Sequence, residues 1–184
     1  MEKTGVTEKK FYALESDALI VGIVIAVLLY IINLENYLLF HTLAELFSAF
    51  VSYIVFLVIW KARNSLLNKY LLLIGISYFF VGTFDLLHGL AFTGIGLFPG
   101  FDSNLSTQFW IIARYIESIS FLIASLSLVY SRKNDVNNPI IFENSHFART
   151  IFFLYVLITS YLLISIIHLK SFPISYIEGS GVTS

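Results

Sequence analysis

The sequence predicts an all-α fold, a polytopic transmembrane helix bundle of about five spanning helices, and three observations carry that reading. Hydrophobic residues make up 58% and charged residues 12% of the 184 positions, against roughly 25% charged in a soluble domain. The apolar residues fall into separate runs, each close to the ~20 residues that a helix needs to cross a bilayer. Lysine and arginine gather in alternate connectors between those runs. A net charge of -1 with no basic stripe argues against nucleic-acid binding. The absence of cysteine excludes disulfides and thiolate metal sites.

Residues 1–17 are polar, with Lys3, Lys9 and Lys10, and read as a cytosolic N-terminal tail. Ala18 to Leu34 is free of charge and forms the first span; the following Asn33-Leu34-Glu35 offers no small-residue cleavage site, so a signal peptide is not expected. A turn at Asn33 to Asn36 leads to the second span, Tyr37 to Trp60, which Lys61 and Arg63 stop. The third runs from Tyr70 to His88. Its Gly75 and Gly82 would let a neighbouring helix approach closely, or are merely tolerated. Gly89 to Gln108 is expected to be a loop whose phenylalanines pack on the bundle or dip into the interface, with Gly94, Gly96 and Phe98-Pro99-Gly100 punctuating it. The fourth span, Ser106 to Tyr130, has Ser106 or Thr107 as its expected cap. Arg132 to Arg149 is a polar connector, with turn signals from Asn134 to Pro139. The fifth span, Thr150 to Leu169, carries no charge.

The charge count sets an orientation. Lys3, Lys9 and Lys10, then Lys61, Arg63 and Lys69, then Arg132, Lys133 and Arg149 lie on one side, and only Lys170 on the other. By the positive-inside rule the N-terminus is cytosolic and the protein is a multi-pass resident of the cell membrane. That topology gives the ionisable residues of the spans a depth. His41 and Glu45 lie one to two turns into the second span, Asp85 and His88 near the outer end of the third, and Arg114 and Glu117 two to three turns into the fourth, at ~1.5 Å of rise per residue. Each pair is three or four residues apart, so both members share one helix face. Six ionisable groups from three spans converge on one layer in the outer half of the membrane, where charge is expensive and marks a functional site by default.

Histidine and carboxylate at this spacing bind first-row cations, so His41, Glu45, Asp85 and His88 are candidate metal ligands. Two histidines on neighbouring helices also suit haem. Arg114 weighs against a metal, yet neutralises a carboxylate or holds an anionic ligand. A divalent transition metal or haem, an organic ligand or quinone, and a structural ion-pair network all stay open. His168 reads as interfacial and His146 as solvated. No phosphate loop, HExxH, histidine box or nucleophile elbow occurs, and no enzyme is expected.

The segments Tyr37-Leu-Leu-Phe-His41-Thr-Leu-Ala-Glu45, Asp85-Leu-Leu-His88, Leu97-Phe-Pro-Gly100, Ala113-Arg-Tyr-Ile-Glu117-Ser, Phe172-Pro and Ile177-Glu-Gly179 resemble, in order, the third family of membrane-associated sensor (MASE) domains. The resemblance runs from Leu28 to Thr183 and includes the His, Glu, Asp and Arg positions already singled out. It implies a bacterial or archaeal membrane sensor, usually the input module of a sensor histidine kinase or diguanylate cyclase; the reading of the residues adds the layer as its expected ligand or metal site. Members of the family continue into further membrane helices and a cytosolic output domain, whereas this chain stops at Gly181-Val-Thr-Ser184. The expected organisation is therefore a tail (1–17), a transmembrane sensor bundle (18–170) and an extracytoplasmic C-terminal segment (171–184), either a fragment or a truncated sensor acting through a separate partner. Expected partners are the lipid bilayer and a kinase or cyclase output domain, with a homodimer left open. The rivals are a small membrane enzyme or transporter using the same layer and a structural membrane subunit. Transport is disfavoured because the inner halves of the spans hold almost no ionisable groups.

Overall fold

A computed structural model gives the backbone of residues 2–65, 69–92, 95, 97–134, 144–177 and 179–183, and the side chains of residues 17–65, 69–92, 95, 97–129, 146–177, 179–181 and 183. It is all-helical: α1 (Glu2–Glu35), α2 (Tyr37–Ala62), α3 (Lys69–Ala91), α4 (Ser103–Asn134) and α5 (Asn144–Ile167), followed by the two-residue strands β1 (Tyr176–Ile177) and β2 (Gly181–Val182). All five helices are long and apolar enough to cross a membrane. The chain divides into a first unit, Met1–Leu43, and a second, Ala44–Ser184.

In the first unit α1 begins at Glu2, so the polar N-terminal residues are continuous with the first span. Leu19, Ile20, Val24, Leu28 and Ile31 are all exposed, as expected of a span whose solvent is lipid. At Asn36 the chain leaves the helix for one residue. Its Oδ1 accepts a hydrogen bond from the Leu39 amide at 3.0 Å and caps the start of α2.

In the second unit α3 is the central helix. More than half of its spanning window (56%) is buried, against 28% for α4 and 17% each for α2 and α5, which fits a helix that is apolar on every face. Leu72, Ile76, Phe80, Val81 and Phe84 of α3 pack with Leu105, Phe109, Ile112 and Ala113 of α4 and with Ala148 and Ile166 of α5. Toward the far end, Phe56 and Trp60 of α2, Phe79 and Phe80 of α3 and Phe152 of α5 form an aromatic cluster with ring centroids 4.9 to 6.0 Å apart. Arg63 closes it, stacking on Trp60 at 4.9 Å and donating to the Trp60 carbonyl at 2.6 Å. An arginine paired with a tryptophan is a usual anchor at a membrane boundary.

The glycines of α3 have a definite task. Gly75, Gly82 and Gly89 recur every seven residues, and a Cβ on each would meet, in turn, the Ile59 side chain, Cβ of Ser52 at 2.8 Å and Cβ of Glu45 at 3.2 Å. The partner residues descend by seven as the glycines ascend by seven, so α2 and α3 lie antiparallel along a small-residue seam. Close approach through small side chains is what drives packing where lipid removes the hydrophobic incentive.

Three local expectations change. α3 continues through Gly89 to Ala91 and α4 begins at Ser103, so the connector between them is shorter than the expected Gly89–Gln108 loop. The cap of α4 is Asp102, whose Oδ1 accepts from the Asn104 amide at 3.0 Å, and neither Ser106 nor Thr107. A hydroxyl three residues inside the helix cannot reach the first free amides, and both hydroxyls bond elsewhere. Helices α4 and α5 also extend into the expected Arg132–Arg149 connector, the remainder of which, together with Gly94 and Gly96, lies outside the described residues.

After α5 the chain turns at Lys170, which takes a left-handed conformation (φ 47°), and the Ser171 amide reaches back to the Ser165 carbonyl at 3.1 Å. This closure satisfies one of the carbonyls that the end of α5 leaves without an intrahelical partner, with lysine in the left-handed position where glycine is usual. Residues 171–183 then form a small antiparallel hairpin, Tyr176 opposite Val182 and Ile177 opposite Gly181. Asn104 Oδ1 accepts from the amides of Ser175 and Tyr176 (2.7 and 3.0 Å), and Gln108 donates to the Pro173 carbonyl at 2.9 Å. Two polar residues one turn apart on α4 thus hold the hairpin.

Candidate functional site

Antiparallel packing of α2, α3 and α4 brings Glu45, Asp85, His88, Arg114 and Glu117 to the same end of the second unit. Asp85 and His88 sit three residues apart in the last two turns of α3, and both are buried. Arg114 lies eleven residues into α4, with Glu117 one turn further on.

The Asp85 carboxylate, its side chain 3% exposed, accepts two hydrogen bonds from Nη2 of Arg114, at 2.7 Å to Oδ1 and 2.8 Å to Oδ2. Nη1 of the same guanidinium donates to Glu117 Oε2 at 2.6 Å. Both terminal nitrogens are therefore committed to carboxylates, and Nε is buried without a hydrogen-bond partner among the described residues. Charge-assisted bonds of this length are the strong kind, and a planar fork suits two acids better than lysine would. Formally the triad carries two negative charges against one positive.

His88 faces the other way. Its Nδ1 lies 2.8 Å from the Ser106 carbonyl, an atom that only accepts, so Nδ1 holds the proton in this arrangement. The Ser106 hydroxyl returns a hydrogen bond to the His88 carbonyl at 3.1 Å. This reciprocal clamp ties the end of α3 to the beginning of α4 and turns Nε2 toward Glu45, whose Oε1 is 3.8 Å away. That separation suits an ion pair and is too long for a direct hydrogen bond. Gly89 makes the approach of Glu45 to α3 feasible, since no side chain stands between them.

His41 belongs to the first unit, one turn before Glu45 on the continuous α2 helix, and stacks on Tyr37 with ring centroids 5.9 Å apart. His146 and His168 stand well away in sequence and are not assigned to the layer.

The sequence reading gave Ser106, Asn104 and Gln108 no part in binding the layer or the hairpin. The available signal was a cluster of polar residues, Asn104, Ser106, Thr107 and Gln108, at the head of an otherwise apolar span, where each buried polar group needs a partner. A third buried contact, Ser120 on α4 with the Tyr155 hydroxyl on α5 (2.5 Å), lies deeper and does not join the layer.

A shallow cleft, open along one side, runs along the exposed face of α4 beside the triad and is lined by Trp110, Ile111, Arg114, Tyr115, Glu117 and Ser118, all of that helix.

No curated protein and no solved structure matches this chain. The model of one protein family does match, over residues 32–184, and so takes in both halves of the buried network. With five apolar helices and a matched segment that covers most of its length, the chain is a multi-pass membrane protein belonging to the MASE3 family of membrane-associated sensor domains.

Proposed function

We propose that this membrane portion is the sensory input of a prokaryotic signalling protein of the histidine kinase or diguanylate cyclase type, and that it receives its ligand at the layer built by Glu45, Asp85, His88, Arg114 and Glu117. The observation that carries the reading is the Arg114 guanidinium held between Asp85 of α3 and Glu117 of its own helix inside an apolar span. Charge placed there is costly, and a protein needing only a fold would pack apolar side chains instead. Because the pair joins two helices, a ligand that competes for either carboxylate shifts α3 against α4. The N-terminus is assigned to the cytosol from the lysine and arginine count. Catalysis is assigned to a domain outside this sequence.

A metal ion is a second reading, supported by one distance. Two metal–ligand bonds of ~2.1 Å span up to ~4.2 Å, so the 3.8 Å between His88 Nε2 and Glu45 Oε1 is bridgeable by a single ion. A porphyrin plane on the same nitrogen would collide with Glu45, so the spacing favours a bare cation over haem.

The test joins this membrane portion to a cyclase or kinase output domain in cells and reads product formation with His88→Ala, Asp85→Asn and, as a control on an exposed apolar position of α5, Leu157→Ala. The first two are expected to lock output in one state while Leu157→Ala leaves it responsive. Normal responses from both layer variants at normal protein levels would remove the layer from sensing.

A further inference from the structure

We infer that the cleft along α4 receives an organic cation with an apolar body, seated on Trp110 and Tyr115 with its charge against Glu117. The inference rests on the sensory reading above and names the ligand class of that layer.

The cleft lies beside a group with excess negative charge, since Arg114 answers two carboxylates, Asp85 and Glu117. Glu117 engages Arg114 through Oε2, and its side chain stays 25% exposed. An anionic ligand is poorly served: of the five guanidinium N–H groups of Arg114 three are engaged by Asp85 and Glu117 and Nε is buried, which leaves an anion one N–H of Nη1 beside two carboxylates. Trp110 and Tyr115, 42% and 62% exposed, bring aromatic faces to the same recess, and such faces attract ammonium groups most strongly when water is excluded. The exposed apolar residues Ile119, Leu122 and Leu126 continue along α4 and give an alkyl chain or ring system a surface to lie on. A second copy of the chain is the poorer occupant. An isologous contact places the same patch on both partners, bringing one net-negative triad against another at low dielectric.

The sequence has two tryptophans, so Trp60→Phe leaves Trp110 as the sole indole and as a reporter inside the cleft. The protein, in maltoside micelles, is titrated with an ω-bromoalkyl trimethylammonium and with the sulfonate and alcohol of equal chain length, the bromine quenching the indole. Saturable quenching by the ammonium alone is expected. Glu117→Gln should weaken it by about tenfold and Tyr115→Ala by a smaller factor, as cation–π and charge contributions imply. Glu117→Asp, which keeps the charge, should recover part of the loss. Should Glu117→Gln fail to fold, Tyr115→Ala, at an exposed position, still tests the aromatic contact.

Quenching that rises without saturation equally for all three amphiphiles would mean partitioning only and would overturn the inference. Saturation by the sulfonate, lost in Arg114→Lys, would make the site anionic and overturn it too. So would a dimer in which Trp110 is shielded from every probe. If the cation fails to bind while His88→Ala still locks the output of a joined sensor, only this inference falls. If the cation binds but no layer variant alters output, the cleft stands and the sensory reading falls.

Discussion

Arg114 and Asp85 meet across the α3–α4 boundary by two hydrogen bonds from one guanidinium nitrogen, 2.7 and 2.8 Å long, with the carboxylate almost wholly buried. This pair holds two helices together and supplies the layer with its charge. Arg114→Leu leaves the buried Asp85 carboxylate uncompensated and should cost about 3 to 5 kcal/mol in micelles, whereas Asp85→Leu leaves Arg114 its bond to Glu117 and should cost less. Replacing both, as Asp85→Leu with Arg114→Leu, should recover most of that loss while abolishing any ligand response. Thermal unfolding of the four proteins in a double-mutant cycle measures it, and additive single-site costs would show that the pair is not coupled.

The seam between α2 and α3 makes a separate prediction. A Cβ on Gly82 would stand 2.8 Å from Ser52 Cβ and 3.2 Å from the Ala49 carbonyl, which is backbone and cannot swing aside. Gly82→Ala should destabilise by about 1 to 3 kcal/mol, the usual cost of overpacking. Gly100→Ala is the contrast: nothing lies within 4 Å, and any penalty comes from its φ of 86° in the connector. If Gly82→Ala unfolds at the wild-type temperature, the helices are not in close contact there.

His88 and Ser106 give a third. Ser106→Ala removes the hydroxyl that donates to the His88 carbonyl but leaves the backbone carbonyl that receives Nδ1–H. The tautomer should therefore persist with a loss of roughly 1 kcal/mol, the net worth of an ordinary hydrogen bond. Nitrogen chemical shifts of labelled histidine distinguish the two ring nitrogens. A switch of the proton to Nε2 in this variant would show that the hydroxyl, and not the carbonyl, sets the orientation.

Much of this arrangement was legible in the sequence, for physical reasons. Helix existence followed from run length and charge spacing. That the ionisable residues of three spans would lie at one depth followed from antiparallel connectivity and the cost of charge in lipid, while which carboxylate Arg114 takes stayed open. What escaped were features that depend on the partner surface. Gly89 reads as a helix breaker until Glu45 is seen packed against it, and this third member of the heptad decides for Gly75 and Gly82, which the sequence leaves open between close approach and mere tolerance. Ser106 reads as a cap by position, but tertiary packing gives it to His88 while Asp102, an equally good capping residue one position before the helix, takes the end. The hairpin after α5 is stabilised from outside, by Asn104 and Gln108 on another element, so local propensity carries little trace of it.

Orientation is testable with little perturbation because the chain has no cysteine. Asn64→Cys lies in the turn after α2, and Ser180→Cys at the hairpin tip, where Ser180 donates its amide to the Ile177 carbonyl at 3.1 Å. With the lysine-rich connectors inside, a membrane-impermeant maleimide added to intact cells should label Ser180→Cys and spare Asn64→Cys until the cells are opened. The reverse pattern would invert the topology and put the polar layer near the cytosolic face.

The last prediction concerns how the hairpin is held. Asn104 Oδ1 accepts both the Ser175 and Tyr176 amides, and its own amide is tied to the Asp102 cap, so a single side chain fixes the start of β1 to the first turn of α4. In Asn104→Ala those two amides lose their acceptor, and a two-residue hairpin has too few ladder bonds to stay ordered alone. Hydrogen exchange at Ser175 and Tyr176 should accelerate by at least about tenfold, since protected amides exchange through local opening, while the core of α3 around Phe80 keeps its protection. Gln108→Ala, which removes only the donor to the Pro173 carbonyl, should loosen Pro173 without releasing the two amides. If exchange at Ser175 and Tyr176 is unchanged in Asn104→Ala, the hairpin is held by its own packing, and α4 is not its anchor.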